Sequence, residues 1–414
     1  MARLVIKNIG PVKDVDIELR KVNVFMGPQS CGKSTLAKII SFCSWMEKLK
    51  FVGEGWENFH ASRTLQQYHK LTGPYYTDIS SLLYIGDNIV YSYNNDESWV
   101  KSLVPADILK GMKIKDGRDI IYVGKRTIYP KVMYIPAERN LVSTVPNLTK
   151  YAEGNDSILD TIYSWYDAVR NSANQQTAIL NLGVSFQWNK NGVGVIELDD
   201  GTELGLQQAS SGLQSVVPLI ILMNWLSKGI YEVDKAISVE QRDQLQQMLN
   251  DYFHTSEASA KVEIKKQLDQ LARGMAYTHT QFIVEEPEQN LFPDTQCELL
   301  YFILSKLNHG KNHRAVITTH SPYILYALNN CLLANIVRDE MPEQDMKEIG
   351  CHQVTIAPSD VAVWEIEDGR MKVYGEERAN HTIQDKDGLI RQNYFNQAMG
   401  RVMKDFQNML MFKD

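Results

Sequence analysis

The nine residues Gly27-Pro28-Gln29-Ser30-Cys31-Gly32-Lys33-Ser34-Thr35 constrain this chain more than any other stretch. They follow the strand-like run KVNVF and open a segment, about 33–49, that reads as a helix. A strand must therefore pass into a helix through a loop with a glycine at each end. Glycine adopts backbone conformations that side chains disfavour, so the loop can wrap its amides around a ligand. The helix behind it offers free N–H groups and the positive end of its dipole. Together these form an anion cradle, suited to a run of phosphates. Lys33 would add a point charge, and Ser34 a hydroxyl for a divalent cation.

Two later strands end in chemistry that such a cradle needs. Phe282-Ile-Val-Glu285-Glu286-Pro-Glu288 closes an apolar strand with adjacent acids. Neighbouring side chains on a strand point oppositely, but where the chain turns both can face a ligand. Glu285 is then placed to hold the cation, and Glu286 to polarise an attacking water. About thirty residues on, Val316-Ile-Thr-Thr-His320-Ser-Pro322 ends a second apolar strand in a histidine able to bond a terminal phosphate oxygen. Between these and the loop lies Ala209-Ser210-Ser211-Gly212-Leu213-Gln214, small and hydroxylated at the head of a long helix. Those letters are also an ordinary helix cap; their order along the chain gives them weight.

The rest of the chain reads as an α/β protein. LVIKNI, VDIEL and KVNVF are three short strands, 51–131 is an irregular β-rich lobe, and KVMYIP enters a buried sheet. A helix is predicted near 156–170, and VSFQW, GVIEL and TELGL form hairpins with turns at Asn191-Gly192 and Asp200-Gly201. Two amphipathic helices over 239–275 form a hairpin, and strands and helices then alternate in the βαβ manner. A hairpin over 361–374 precedes a helix with Phe395, Met399, Val402, Phe406 and Leu410 on one face.

Composition narrows the partners. With 43 Lys+Arg against 50 Asp+Glu the net charge is −7, which argues against a surface that coats nucleic acid indiscriminately. The longest nearly apolar run, 215–226, is short for a bilayer and contains Pro218, so no membrane span is expected. Arg3 and Lys7 interrupt any signal-peptide core, and five cysteines form no CxxC pair. The expected location is cytoplasmic, with reduced thiols.

The four motifs in this order resemble the ABC-type ATPases, especially the soluble branch related to structural-maintenance-of-chromosomes, double-strand-break repair and overcoming-lysogenization-defect proteins. Residues 27–35 match Walker A, Ser210, Ser211 and Gly212 a variant signature, FIVEEPEQNLFP Walker B with its D-loop, and TTHSP the switch histidine. The EEPE form and YIPAER look like small prokaryotic ATPases encoded beside anti-phage effectors. This resemblance implies an ABC-type P-loop ATPase head binding ATP and Mg²⁺, with Lys33, Glu286 and His320 catalytic, and Ser34 and Glu285 on the metal. It implies a homodimer or higher oligomer closed across ATP, each signature facing the partner's loop. Two departures stand out: Glu285 replaces an Asp, and ASSGLQ replaces LSGGQ. The family's metal-sensing glutamine has no clear match, and by position Glu138 or Arg139 takes its place.

Spacing separates the relatives. About 73 residues between Gly212 and Glu285 hold one helical hairpin and exclude a long coiled-coil arm, and the 94 residues after His320 lack the acids of a nuclease. The whole chain, 1–414, is then one composite head. Residues 1–140 form the P-loop and β-rich lobe, 141–280 the signature lobe with its insertion, and 281–414 the Walker B and histidine core with the C-terminal hairpin and helix. Two roles stay open. One is the sensor or regulatory scaffold of a defence system, controlling an effector protein. The other is a nucleic-acid-binding ATPase of DNA repair or processing, gripping DNA or RNA through Lys110, Lys113, Lys115, Arg118, Lys125, Arg126 and Lys131.

Overall fold

The computed structural model describes residues 2–47, 61–94, 101–102, 104, 106–110, 113–115, 119–123, 130–145, 148, 156–232, 277–373 and 382–413. The expected 239–275 hairpin lies outside them, as do Arg118, Lys125 and Arg126.

Among the described residues, sixteen strands form two sheets. The strands are β1 (Arg3–Ile9), β2 (Val12–Glu18), β3 (Val22–Met26), β4 (Tyr76–Ile85), β5 (Ile89–Asn94), β6 (Lys113–Lys115), β7 (Asp119–Val123), β8 (Pro130–Ile135), β9 (Thr177–Ala178), β10 (Val184–Trp188), β11 (Gly194–Leu198), β12 (Glu203–Gly205), β13 (His279–Glu285), β14 (Arg314–Thr319), β15 (Val361–Glu367) and β16 (Arg370–Met371). The main sheet runs β6-β7-β5-β4-β1-β2-β16-β15-β3-β14-β13-β8. Its neighbours from β15 through β3, β14 and β13 to β8 are all parallel. The strands of the expected β-rich lobe extend the main sheet, because β4 pairs antiparallel with β1 along most of its length. The smaller sheet, β12-β11-β10-β9, has its turns at Gly192 and Gly201, both at positive φ.

Alternation along the parallel strands sorts the core into two layers. Val24, Phe282, Val284, Ala315 and Ile317 point to one face, where they meet α3 (Ser157–Asn171), α4 (Ser211–Ser227), α5 (Pro293–Leu307) and α6 (Pro322–Ile336). Phe25, Tyr134, Ile283, Val316 and Trp364 point to the other, under α1 (Lys33–Met46) and α2 (Ala61–His69). Parallel strands covered on both sides are the expected outcome of near-continuous apolar runs such as AVIT and FIV. Phe25 and Trp364 stack at 4.9 Å on the α1 side. Helix α2 lies within the stretch expected to be β-rich, and its buried Ala61, Leu65 and His69 fall at i, i+4, i+8.

The membrane reading needs a correction in length. Helix α4 with the turn after it, Ser211–Tyr231, is 21 residues and long and apolar enough to cross a membrane by length and composition. Most of it is buried inside the protein, as a core helix would be. The last helix, α7 (Tyr394–Leu410), buries none of its residues. The basic cluster is also divided: Lys113 and Lys115 lie on edge strand β6, whereas Lys131 lies on β8 at the opposite edge of the strand order. All five cysteines are free thiols.

Candidate functional site

In an open parallel sheet, ligands bind outside the carboxyl ends of the strands. Here four such ends are in step. Met26 is opposite Thr319, Thr318 opposite Glu285, and Val284 opposite Ile135. The loops leaving β3, β14, β13 and β8 therefore emerge side by side, carrying respectively 27–35, His320, Glu285–Glu286 and Glu138–Arg139.

The first loop is set by its glycines. Gly27 has φ 144°, and a Cβ there would collide with the Ile366 carbonyl of β15. Gly32, at φ 109°, caps α1, and a Cβ there would lie 2.8 Å from Val12. Ser30 adds a third left-handed residue at φ 60°. Side chains of Gln29, Ser30 and Ser34 are exposed, while Cys31 and Thr35 are buried and Pro28 half-buried. The Lys33 ammonium is buried and donates to the carbonyls of Gly27 at 2.9 Å and Pro28 at 2.7 Å. Burial lowers its pKa, opposed by Cys31, Glu286 and Glu288.

Glu285 shares strand parity with Ile283, which puts it on the sheet face that α1 covers. Its Oε1 is buried with no hydrogen-bond partner, and the Ser34 side chain at the head of α1 is exposed. A hard cation held by oxygen ligands fits an orphaned carboxylate oxygen at a strand end. Among the described residues no cluster of three His, Cys, Asp or Glu could hold a metal alone; phosphate oxygens would have to complete the shell. The Tyr134 hydroxyl is buried nearby, its pKa raised by burial first and then by Glu285.

After Glu285 the chain turns through Glu286, a non-glycine residue at φ 42°. Its N–H donates to the Thr318 carbonyl at 2.9 Å, and its Oε1 lies 3.4 Å from His320 Nε2. Both side chains are about one-third exposed. Burial and Lys33 lower the His320 pKa against the opposing pull of Glu286, so the ring is biased to its neutral form. The backbone N–H of His320 donates to Glu288 Oε1 at 2.6 Å. Glu288 is itself buried, its pKa raised by that burial, and its Oε2 has no partner.

Ser210 caps α4, its hydroxyl accepting from Leu213 N, and Ser211 is exposed beside it. A Cβ on Gly212 would lie 2.9 Å from the Asn290 carbonyl. Asn290 Nδ2 also donates to Ser215 Oγ at 3.0 Å. The start of α4 thus packs on the loop that follows Glu286. Two residues along, Phe292 is 84% exposed.

The expected nucleotide role of Arg139 is corrected. Its guanidinium is 1% exposed and spends all five N–H groups on carbonyls: Ser215 from Nε, Pro136 and Glu285 from Nη1, and Glu286 and Pro287 from Nη2, at 2.9–3.4 Å. No donor remains for a phosphate. Burial lowers its pKa to about 10, with Glu288, Glu286, Glu285 and Glu138 opposing. Glu138 next to it is exposed at the end of β8. Glu288 is legible in the sequence only as the third acid of EEPE.

Residues 137–325 match a family described as AAA ATPase domain, a stretch that holds Arg139, the signature, Glu285–Glu288 and His320. No curated protein matches the chain. Among solved structures, it is similar to the SMC head domain from Thermotoga maritima, with 11% identity over 78% of this chain and 90% of that one, at TM-score 0.34. It is also similar to an Smc head with an extended coiled coil, bound to the C-terminal domain of ScpA, from Pyrococcus furiosus; identity is 10% over 98% and 100%, at TM-score 0.36. A third likeness is to a dimeric ATP-binding cassette in a post-hydrolysis state with ADP and Pi, 12% identical over 91% and 99%, at TM-score 0.29.

Proposed function

We propose that this chain is an ABC-type ATPase that hydrolyses ATP and dimerises across it. The observation that carries the reading is the row of aligned strand ends, which brings a phosphate-cradling loop, two acids and a histidine to one edge of the sheet. In this reading the loop amides of 27–35 and the Lys33 ammonium hold the β- and γ-phosphates. Ser34 and Glu285 would hold Mg²⁺, which supplies charge neutralisation between the phosphates when bound. Glu286 accepts the proton of a water whose oxygen attacks the γ-phosphorus, and the bond to ADP breaks, leaving inorganic phosphate. Neutral His320 donates one N–H to a γ-phosphate oxygen.

The dimer reading is supported by Ser210 and Ser211, which are exposed at a helix N-terminus that packs on Asn290, two residues before the exposed Phe292. They are available to a partner's phosphate, and in this reading the whole chain is one composite head. Glu286→Gln is expected to lower turnover about 10²–10⁴-fold, the range for a positioned base. ATP binding should persist, and the variant should run as a nucleotide-dependent dimer in size-exclusion chromatography with light scattering. Wild-type turnover in that variant would remove Glu286 from its role.

By resemblance, the ATP cycle gates an effector protein in the cytoplasm. The division of the basic cluster between two sheet edges lowers the support for a nucleic-acid grip. Titrating labelled DNA at several salt concentrations decides between them. A steep salt dependence that vanishes when the basic residues are reversed would favour nucleic acid.

A further inference from the structure

We propose that Arg139 and Glu288 are positioning residues that hold Glu286 and His320 in their working geometry. This inference rests on the ATPase reading above. Glu286 occupies a left-handed conformation that β-carbon-bearing residues rarely adopt and that persists only where the surroundings fix it. Three consecutive carbonyls, of Glu285, Glu286 and Pro287, turn inward onto one guanidinium at 2.9–3.1 Å. Carbonyls converging in this way repel one another unless a cation sits among them. The backbone bond from Glu286 N to Thr318 O fixes the other side of the same residue. Arg139 therefore selects the turn that points Glu286 toward His320.

Glu288 does the matching work on the histidine. Its carboxyl accepts the His320 N–H at 2.6 Å and is buried between the two loops. The 3.4 Å approach of Glu286 to His320 is thus held from beneath at both ends. Neither positioning side chain need touch substrate. Arg139 also bonds the Ser215 carbonyl, so the same fork ties the base of the signature helix to the catalytic turn.

The test compares Arg139→Lys, Glu288→Gln and Glu288→Ala in the full chain, measuring kcat and KM for ATP and nucleotide affinity by calorimetry. Lysine cannot present five donors in a planar fork. A displacement of about 1 Å at a reacting group can cost about 10²-fold. Arg139→Lys is therefore expected to lose roughly 10²-fold in kcat while KM and ATP affinity stay within about threefold. Glu288→Ala should lower kcat at least ~10-fold, and Glu288→Gln, which keeps the acceptor for His320 N–H, should restore it to within about threefold. If Arg139→Lys fails to fold, the Glu288 pair decides alone. A wild-type kcat in soluble Arg139→Lys or Glu288→Ala, or a loss confined to KM, overturns the positioning role. A wild-type chain with no turnover overturns the ATPase reading, and this inference with it.

Discussion

Glu47 offers the sharpest test of the packing behind the site. It closes helix α1, which follows the 27–32 loop, and is 5% exposed. Its Oε1 accepts from Tyr84 Oη at 3.1 Å and Asp87 N at 3.0 Å, and its Oε2 from Asn88 N at 2.7 Å. These bonds favour the anion, yet burial outweighs them, and the pKa rises from 4.5 to about 7. A carboxylate at a helix C-terminus also opposes the dipole. The folded state thus keeps a proton that the unfolded chain has lost between these two values. Stability from this group is fully present below pH 4.5 and is lost as pH rises through about 7. At about 1.36 kcal/mol per unit, the loss between pH 5 and 8 is roughly 2.5 kcal/mol. Glu47→Gln removes the titration. Its amide leaves the Asn88 N–H facing a donor, a cost of about 1–3 kcal/mol that does not change with pH. Comparing urea unfolding of the two chains at pH 5 and 8 cancels every other titrating group. The wild type should lose about 2.5 kcal/mol relative to the variant across that window. Curves that stay parallel to within about 0.5 kcal/mol would refute the idea that burial, rather than hydrogen bonding, governs this carboxyl.

Lys33→Ala removes a charge-assisted donor worth about 1.5–3 kcal/mol, so ATP affinity by calorimetry should fall about 10–100-fold; an unchanged affinity would leave the loop amides as the whole phosphate site. Gly212→Ala forces a methyl against the Asn290 carbonyl at 2.9 Å, backbone that cannot swing away as a side chain would. Overpacking of this kind costs about 1–3 kcal/mol, and a melting temperature equal to wild type would mean that the 287–292 loop yields freely. Chelating divalent cations should stop turnover without unfolding the chain, because Glu285 sits at a strand end already fixed by its ladder. Persistent hydrolysis in EDTA would detach Glu285 and Ser34 from a metal.

The parts of the site legible in sequence were those in which one short segment carries its own physics. Gly27 to Thr35 specifies a strand, a turn at positive φ and a helix start within nine letters, and all three stand where they were expected. FIVEE and VITTH announce strand ends by passing from apolar to polar, and β13 and β14 end at Glu285 and Thr319. What the text concealed was the pairing of segments far apart in the chain. Nothing in TDISSLLYI at 77–85 says that it will pair with Arg3–Ile9, so the sequence shows an irregular β-rich lobe without showing that it extends the main sheet. The basic residues around 110–131 looked contiguous for the same reason, although Lys113 and Lys131 belong to opposite edges.

Arg139 marks a deeper limit. An arginine beside an acid at the end of a strand reads as a reagent for phosphate, because side-chain chemistry is what the letters record. Its actual ligands are carbonyl oxygens contributed by Pro136, Ser215, Glu285, Glu286 and Pro287. Every residue carries such an oxygen, so no pattern of residue types distinguishes a stretch that offers three of them to one point. The left-handed turn at Glu286 brings three of them together, and the cation, with the Glu286 N–H bond to the Thr318 carbonyl, holds that turn. Guanidinium and turn each explain the other, which is why neither could be inferred alone. The same mutual dependence explains why a buried charge without a carboxylate partner is tolerated: five carbonyl dipoles solvate it, and the flanking glutamates raise the pKa that burial lowers to about 10. A charge kept in that way at neutral pH serves as a fixed structural cation, which a neutral replacement of equal volume could not reproduce.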